Sequence, residues 1–68
     1  MPNQTTRNFL LLFKRGERIS DIFLLRKGFT HNEIKKYKSC GYIAQCGINS
    51  SRNNLYVITD LGISARDS

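Results

Sequence analysis

Residues 30–43, Thr30-His31-Asn32-Glu33-Ile34-Lys35-Lys36-Tyr37-Lys38-Ser39-Cys40-Gly41-Tyr42-Ile43, decide how the rest of this chain is read. Thr30 and Glu33 have the S/T-x-x-E spacing of a capping box: each side chain can accept a hydrogen bond from the other's backbone N–H. Ile34 and Tyr37, three apart, share one face and can anchor a helix to a core. His31, Asn32, Lys35, Lys36 and Lys38 fall mostly on the other side. Gly41 permits the left-handed turn that ends a helix, and Tyr42-Ile43 begin an extended segment. The expectation is a short helix over 30–40 with an anchored back and a cationic front. Such a front, with hydrogen-bonding side chains near the helix start, suits a DNA major groove.

The flanking segments supply the support. Thr5 or Thr6 can cap a first helix over about 6–15, with Phe9, Leu10, Leu12 and Phe13 as its core stripe and Gly16 as its stop. Ser20 caps a second helix, and Asp21 in its first turn and Arg26 and Lys27 in its last complement the helix dipole. Ile22, Phe23, Leu25 and Ile19 are its expected buried stripe, Gly28 its end and Phe29 a plug before the third helix. Helix, short glycine turn, helix is a helix-turn-helix unit. After Gly41 the period changes to that of strands. Residues 42–46 and 55–59 read as two strands, with Tyr56 and Ile58 on one face and Leu55 and Val57 on the other. Residues 47–54 join them as a polar loop with Arg52 at its tip. Thr59 and Asp60 can cap a short last turn, which Gly62 weakens. The reading is a single α+β domain over 1–68, with 1–5 disordered and 63–68 a frayed end.

Composition narrows the function. The chain has 68 residues, a net charge of +6, and 11 Lys and Arg against 5 Asp and Glu. Eight of the 11 (Lys14, Arg15, Arg18, Arg26, Lys27, Lys35, Lys36, Lys38) lie between residues 14 and 38. A basic balance concentrated in this way points to nucleic acid ahead of a membrane surface. No stretch approaches the length of about 20 apolar residues that spans a bilayer, and no signal-peptide pattern opens the chain. The expected setting is the cytoplasm, with no membrane partner. Cys40 and Cys46 are too few for a disulfide scaffold. Cys40 reads as a small buried residue, Cys46 as a strand residue, and a redox pairing between them is the lesser alternative. His31, Cys40 and Cys46 lack metal-ligand spacing, and no acid pair or nucleophile motif is present. Neither catalysis nor a cofactor nor a metal is expected.

Two motifs carry a family resemblance. Ile34 to Ile43 has the pattern apolar-x-x-apolar-x-x-x-Gly-aromatic-Ile, and Leu55-Tyr56-Val57-Ile58-Thr59-Asp60-Leu61-Gly62 is similar to the Tyr-x-Leu-Thr-x-x-Gly ending of MarR-like and PadR-like regulators. With the second helix, the chain over about 18–62 resembles the winged helix-turn-helix superfamily. The resemblance implies three helices followed by a two-stranded antiparallel hairpin wing. It implies a sequence-specific double-stranded DNA-binding protein, a small transcriptional regulator or architectural factor of a prokaryote, phage or plasmid. The long dimerisation helix of those regulators has no counterpart before Ser68, so the resemblance does not carry over their dimer; a weak homodimer on adjacent half-sites is one arrangement left open, since tight binding by so small a module usually needs a second copy. Under this resemblance the third helix enters the major groove. His31, Asn32 and Lys35 are then the candidates for base edges. Lys36 and Lys38, with the helix starts at Ser20 and Thr30, are the candidates for phosphate. Ser51, Arg52, Asn53 and Asn54 are the candidates of the wing for the backbone or minor groove. The alternative is a winged-helix module that binds another protein, its basic face incidental.

Overall fold

The computed structural model describes residues 3–68. Helices and strands follow in the order α1 (Gln4–Leu10), β1 (Ile19–Ser20), α2 (Asp21–Arg26), α3 (His31–Ser39), β2 (Ile43–Ile48), β3 (Asn54–Ile58), α4 (Asp60–Asp67). The domain is α+β, with four helices and a three-stranded antiparallel sheet of order β1-β3-β2 among the described residues. The sequence leads one to expect three helices and a two-stranded hairpin. The additions are β1, which pairs Ile19 with Tyr56 and Ser20 with Leu55, and the closed helix α4.

α1 starts earlier and ends sooner than its stripe suggests. Asn3, not Thr5 or Thr6, is the cap, and its side chain accepts from the Thr6 N–H at 2.8 Å. Gln4 and Thr5, expected to be disordered, form the first turn; Met1 and Pro2 lie outside the described residues. After Leu10 the chain tightens into three-residue steps, Leu12 N–H to Phe9 O and Phe13 N–H to Leu10 O. That tightening still carries Phe13 inward. Phe9, Leu10 and Phe13 are buried, and Phe9 stands at the centre of the aromatic core, its ring centroid 4.5 Å from Tyr37, 5.0 Å from Phe29 and 5.5 Å from Phe13.

α2 turns a different face inward from the one expected. Leu24 is fully buried, Leu25 packs on the core, and Ile22 and Phe23 are exposed. The cause is β1. Pairing Ile19 and Ser20 to the sheet sets where α2 begins, and Ile19 is buried as a strand residue. Both α2 and α3 end in the same way. The Phe29 N–H reaches Leu24 O at 3.2 Å and the Tyr42 N–H reaches Tyr37 O at 3.1 Å, each across a glycine with φ of +97° or +83°. These are Schellman closures, which only a residue at ease with positive φ allows. Cys40 is the C-cap of α3 and is exposed rather than buried.

The end of the chain, expected to fray, is held. Thr59 caps α4 by accepting from the Gly62 N–H at 3.1 Å, and its hydroxyl faces the carbonyl oxygens of Gly41 and Tyr42. Gly62 does not weaken this helix; the helix requires it. A Cβ there would collide with the Tyr42 carbonyl oxygen and lie 2.8 Å from Ile58 Cγ1. α4 packs on α1, and Arg66 donates to Phe13 O at 2.9 Å. A polar hydrogen bond and a close backbone contact therefore fasten the C-terminus to both ends of the fold.

Candidate nucleic-acid interface

The capping box at the head of α3 is formed in both directions. Thr30 Oγ1 accepts from the Glu33 N–H at 3.1 Å, and Glu33 Oε1 accepts from the Thr30 N–H at 3.1 Å. Ile34 and Tyr37 are each 3% exposed. His31, Asn32, Lys35, Lys36 and Lys38 are all exposed. At about 100° per residue, Asn32 points most directly away from the two anchors, with Lys35 and Lys36 at equal angles to either side of it. Lys35 is on the side of His31 and Lys38, which lie on the flank beside the sheet, and Lys36 is on the opposite side.

The sheet flank borders a cleft of about 320 Å³. His31, Ile34, Lys35 and Lys38 form its helix wall, Asn54 and Tyr56 its sheet wall, and Asp21 enters from the head of α2. Asn54, expected in the loop, is the first residue of β3. It accepts from Gln45 Nε2 at 3.1 Å. Register explains the contact. Ile43, Gln45 and Ile48 stand opposite Ile58, Tyr56 and Asn54, and so share the sheet face that looks toward α3. Cys46 is the extra residue of a bulge between Gln45 and Gly47. Without the bulge, Ile48 would point to the other face. It is 62% exposed on the α3 side instead.

The loop spans 49–53, shorter than the 47–54 expected, because β2 runs to Ile48. Asn49 organises it. Its side-chain oxygen accepts from the Ser51 and Asn53 N–H groups, both at 3.0 Å, and its N–H donates to Asn53 O at 3.0 Å. Arg52 is exposed with φ of +63°, a left-handed conformation that few residues other than glycine adopt. The Asn49 network holds that conformation and fixes where the guanidinium emerges. Ser51 is exposed beside it and Asn53 is half-buried. Ser20 and Thr30 have committed their hydroxyls to capping, Ser20 Oγ accepting from the Phe23 N–H at 3.2 Å.

The structure thus brings His31, Lys35, Lys38 and Asn54 around one cleft, keeps Asn32 and Lys36 on the outer surface of α3, and groups Ser51, Arg52 and Asn53 at the hairpin end. Asp21, Gln45, Ile48 and Tyr56 join them, and the sequence reading did not assign them to the site. Strand alternation brings Gln45 and Tyr56 within reach of such a reading. The bulge and the β1 pairing conceal Ile48 and Asp21. Among the described residues the two ion pairs, Arg15–Asp60 at 3.1 Å and Arg66–Asp67 at 2.9 Å, both involve α4. Lys35, Lys36, Lys38 and Arg52 therefore have no acid within 4.0 Å among the described residues. No group of three or more metal-ligating side chains and no helix long and apolar enough to cross a membrane occurs among the described residues. Comparison with family models, curated proteins and solved structures yields no match to this chain.

Proposed function

We propose that this chain is a winged helix-turn-helix domain that binds double-stranded DNA sequence-specifically, as a small transcriptional regulator or architectural factor. One observation carries the reading. α3 is pinned by Ile34 and Tyr37 while His31, Asn32, Lys35, Lys36 and Lys38 stand in solvent on a rigid, doubly capped helix. Asn and Lys side chains can read adenine and guanine edges in the major groove. Lys36 and Lys38, on opposite flanks of the helix, suit the two phosphate walls of that groove. Arg52, presented by the Asn49-braced loop, suits the neighbouring backbone or minor groove. β1 supports the same reading mechanically. It joins the head of α2 to β3 through the pairing of Ile19 with Tyr56 and Ser20 with Leu55.

A salt titration of duplex binding tests this. Each phosphate neutralised contributes about −0.9 to the slope of log K against log salt. Contacts by Lys36, Lys38 and Arg52 give a slope of about −2.7 or steeper. Selection of bound sequences from random duplexes should return a defined site. A flat slope with no selected site would remove the reading.

A second reading rests on α2. Ile22 and Phe23 are 38% and 40% exposed, with Lys27 Nζ 5.3 Å from the Phe23 ring centroid. An apolar pair at the surface favours a protein-binding module. A loss of partner binding by Phe23→Ser, with DNA binding absent in the parent chain, would select it.

A further inference from the structure

The two edges of the sheet are built differently. β1 forms one edge and stops after two residues, where Ser20 already caps α2. β2 forms the other and runs for six, with every residue after Ile43 exposed and no strand on its outer side among the described residues. Hydrogen bonds at its two ends show which backbone groups face outward. The Thr59 N–H donates to Tyr42 O and the Asn49 N–H donates to Asn53 O, both at 3.0 Å. Bonded and unbonded pairs alternate along an antiparallel ladder. Counted inward from either end, Gln45 opposite Tyr56 and Ile48 opposite Asn54 are unbonded pairs, so their N–H and C=O groups point away from β3. The bulge at Cys46 gives them this common sense. In an unbroken strand two residues three apart face opposite edges and opposite faces. Here Gln45 and Ile48 share the free edge and the α3 face. The Gln45 side chain leans inward to Asn54, and Ile48, 62% exposed, stands beside the open edge. Residues 43–48 hold no charge and no proline, two devices that keep such edges apart.

We propose that β2 pairs antiparallel with β2 of a second copy of this chain about a two-fold axis, joining the two sheets into one. Gln45 stands opposite Ile48 of the second copy, and Ile48 opposite its Gln45, each pair exchanging backbone hydrogen bonds. A two-fold contact needs residues that can serve as both halves of it, and the bulge supplies that match. The Ile48 side chain then lies on the aliphatic part of Gln45 across the joint. Charge selects a second copy at this place. Each chain carries +6, so most of its surface repels its like, whereas residues 39–51 are the longest run without a charged side chain. The axis is perpendicular to the joined sheet, so both α3 helices lie on one face of it. The pairing itself needs no nucleic acid. A ladder this short buries far less than the ~1,600 Å² of a standard stable interface, so the dissociation constant is on the order of 0.1–1 mM.

Sedimentation equilibrium and amide spectra of the 68-residue chain over a concentration series, without nucleic acid, test this. The mean mass should climb from 7.8 kDa toward twice that value. Exchange of the Gln45 and Ile48 amides should slow as it does. Added salt should strengthen the association, because it screens repulsion between two chains of +6; duplex binding has the opposite dependence. Ile48→Lys charges an exposed position, and Gln45→Pro removes an N–H that β3 does not use. Each should weaken the dimer about tenfold or more while the β2–β3 amide signals persist. Ile22→Lys, on α2, should leave the dimer unchanged. A parent chain that stays monomeric at about 1 mM, a dimer that survives both edge variants, or one lost only with Ile22→Lys would overturn the proposal. Duplex binding by a chain that never dimerises would remove the pairing and leave the DNA reading standing. A dimer with this salt dependence that binds no duplex would do the reverse.

Discussion

Two regions of this small domain hold their cationic side chains differently, although Arg7 and Lys14 beside the first of them have no ion-pair partner among the described residues either. At the α1–α4 side, Arg66 is spent on the fold. It donates to the Phe13 carbonyl and clasps Asp67, and Arg15 meets Asp60 nearby. On α3 and the hairpin loop, Lys35, Lys36, Lys38 and Arg52 are exposed and face no described acid at ion-pair distance. Yet both backbones are firmly built, one by the Thr59 latch and the other by the capping box and the Asn49 network. Rigid backbone under uncommitted charge is what a recognition surface needs, because the ordering cost is met before the ligand arrives. The contrast predicts that substitutions on the first side change stability and those on the second change binding.

Phe9→Ala should have the largest effect. Emptying the centre of the aromatic core costs about 3–5 kcal/mol. A domain of this length has roughly 3–10 kcal/mol to lose, so the thermal transition should broaden or vanish. Gly62→Ala comes next, since the new methyl meets the Tyr42 carbonyl, a backbone group that cannot swing aside. A loss of about 1–3 kcal/mol is expected in denaturant titration. A Gly62→Ala protein as stable as the parent would show that α4 is not fastened as described. Across the divide, Lys35→Ala, Lys36→Ala and Lys38→Ala together should leave the melting midpoint nearly unchanged. They should also flatten the salt slope by about 0.9 for each phosphate left without its lysine. Arg52→Gly sharpens this further. It relieves the left-handed backbone while deleting the guanidinium, so binding to all sequences should weaken in a protein at least as stable as before.

The smallest effect belongs to the Arg66–Asp67 clasp. Its hydrogen bond holds the Asp67 carboxyl below the usual carboxylate range and raises Arg66. A lowered carboxyl contributes stability above its unfolded value, and that contribution fades as pH falls through the folded one. Asp67→Asn should therefore cost slightly at neutral pH and nothing in strong acid, as read from melting midpoints across the acid range.

The same two regions differ in how far the sequence alone discloses them. The head of α3 is written locally: Thr30, Glu33, Ile34, Tyr37 and Gly41 lie within twelve residues, and helix geometry alone relates them. The strands at Tyr56 and Ile58 follow from alternation. Three features required the folded chain. β1 is two residues long and exists only because Tyr56 and Leu55 lie opposite it. α2 is six residues long, too short for its periodicity to distinguish Leu24 from Ile22 and Phe23. Gly62 reads as a helix breaker until the Tyr42 carbonyl is seen against it. For the candidate site, exposure of the α3 residues was legible. The cleft was not, since the β1 pairing brings Asp21 to it and the bulge at Cys46 turns Ile48 to the same face.

Amide shift mapping of the chain against a selected duplex at moderate salt bears most directly on whether α3 and the hairpin loop are the recognition surface. The changes should concentrate at residues 31–38 and 49–53, with α1 and α4 silent. Changes centred on Ile22 and Phe23 or on the α1–α4 side, with α3 unmoved, would contradict that assignment.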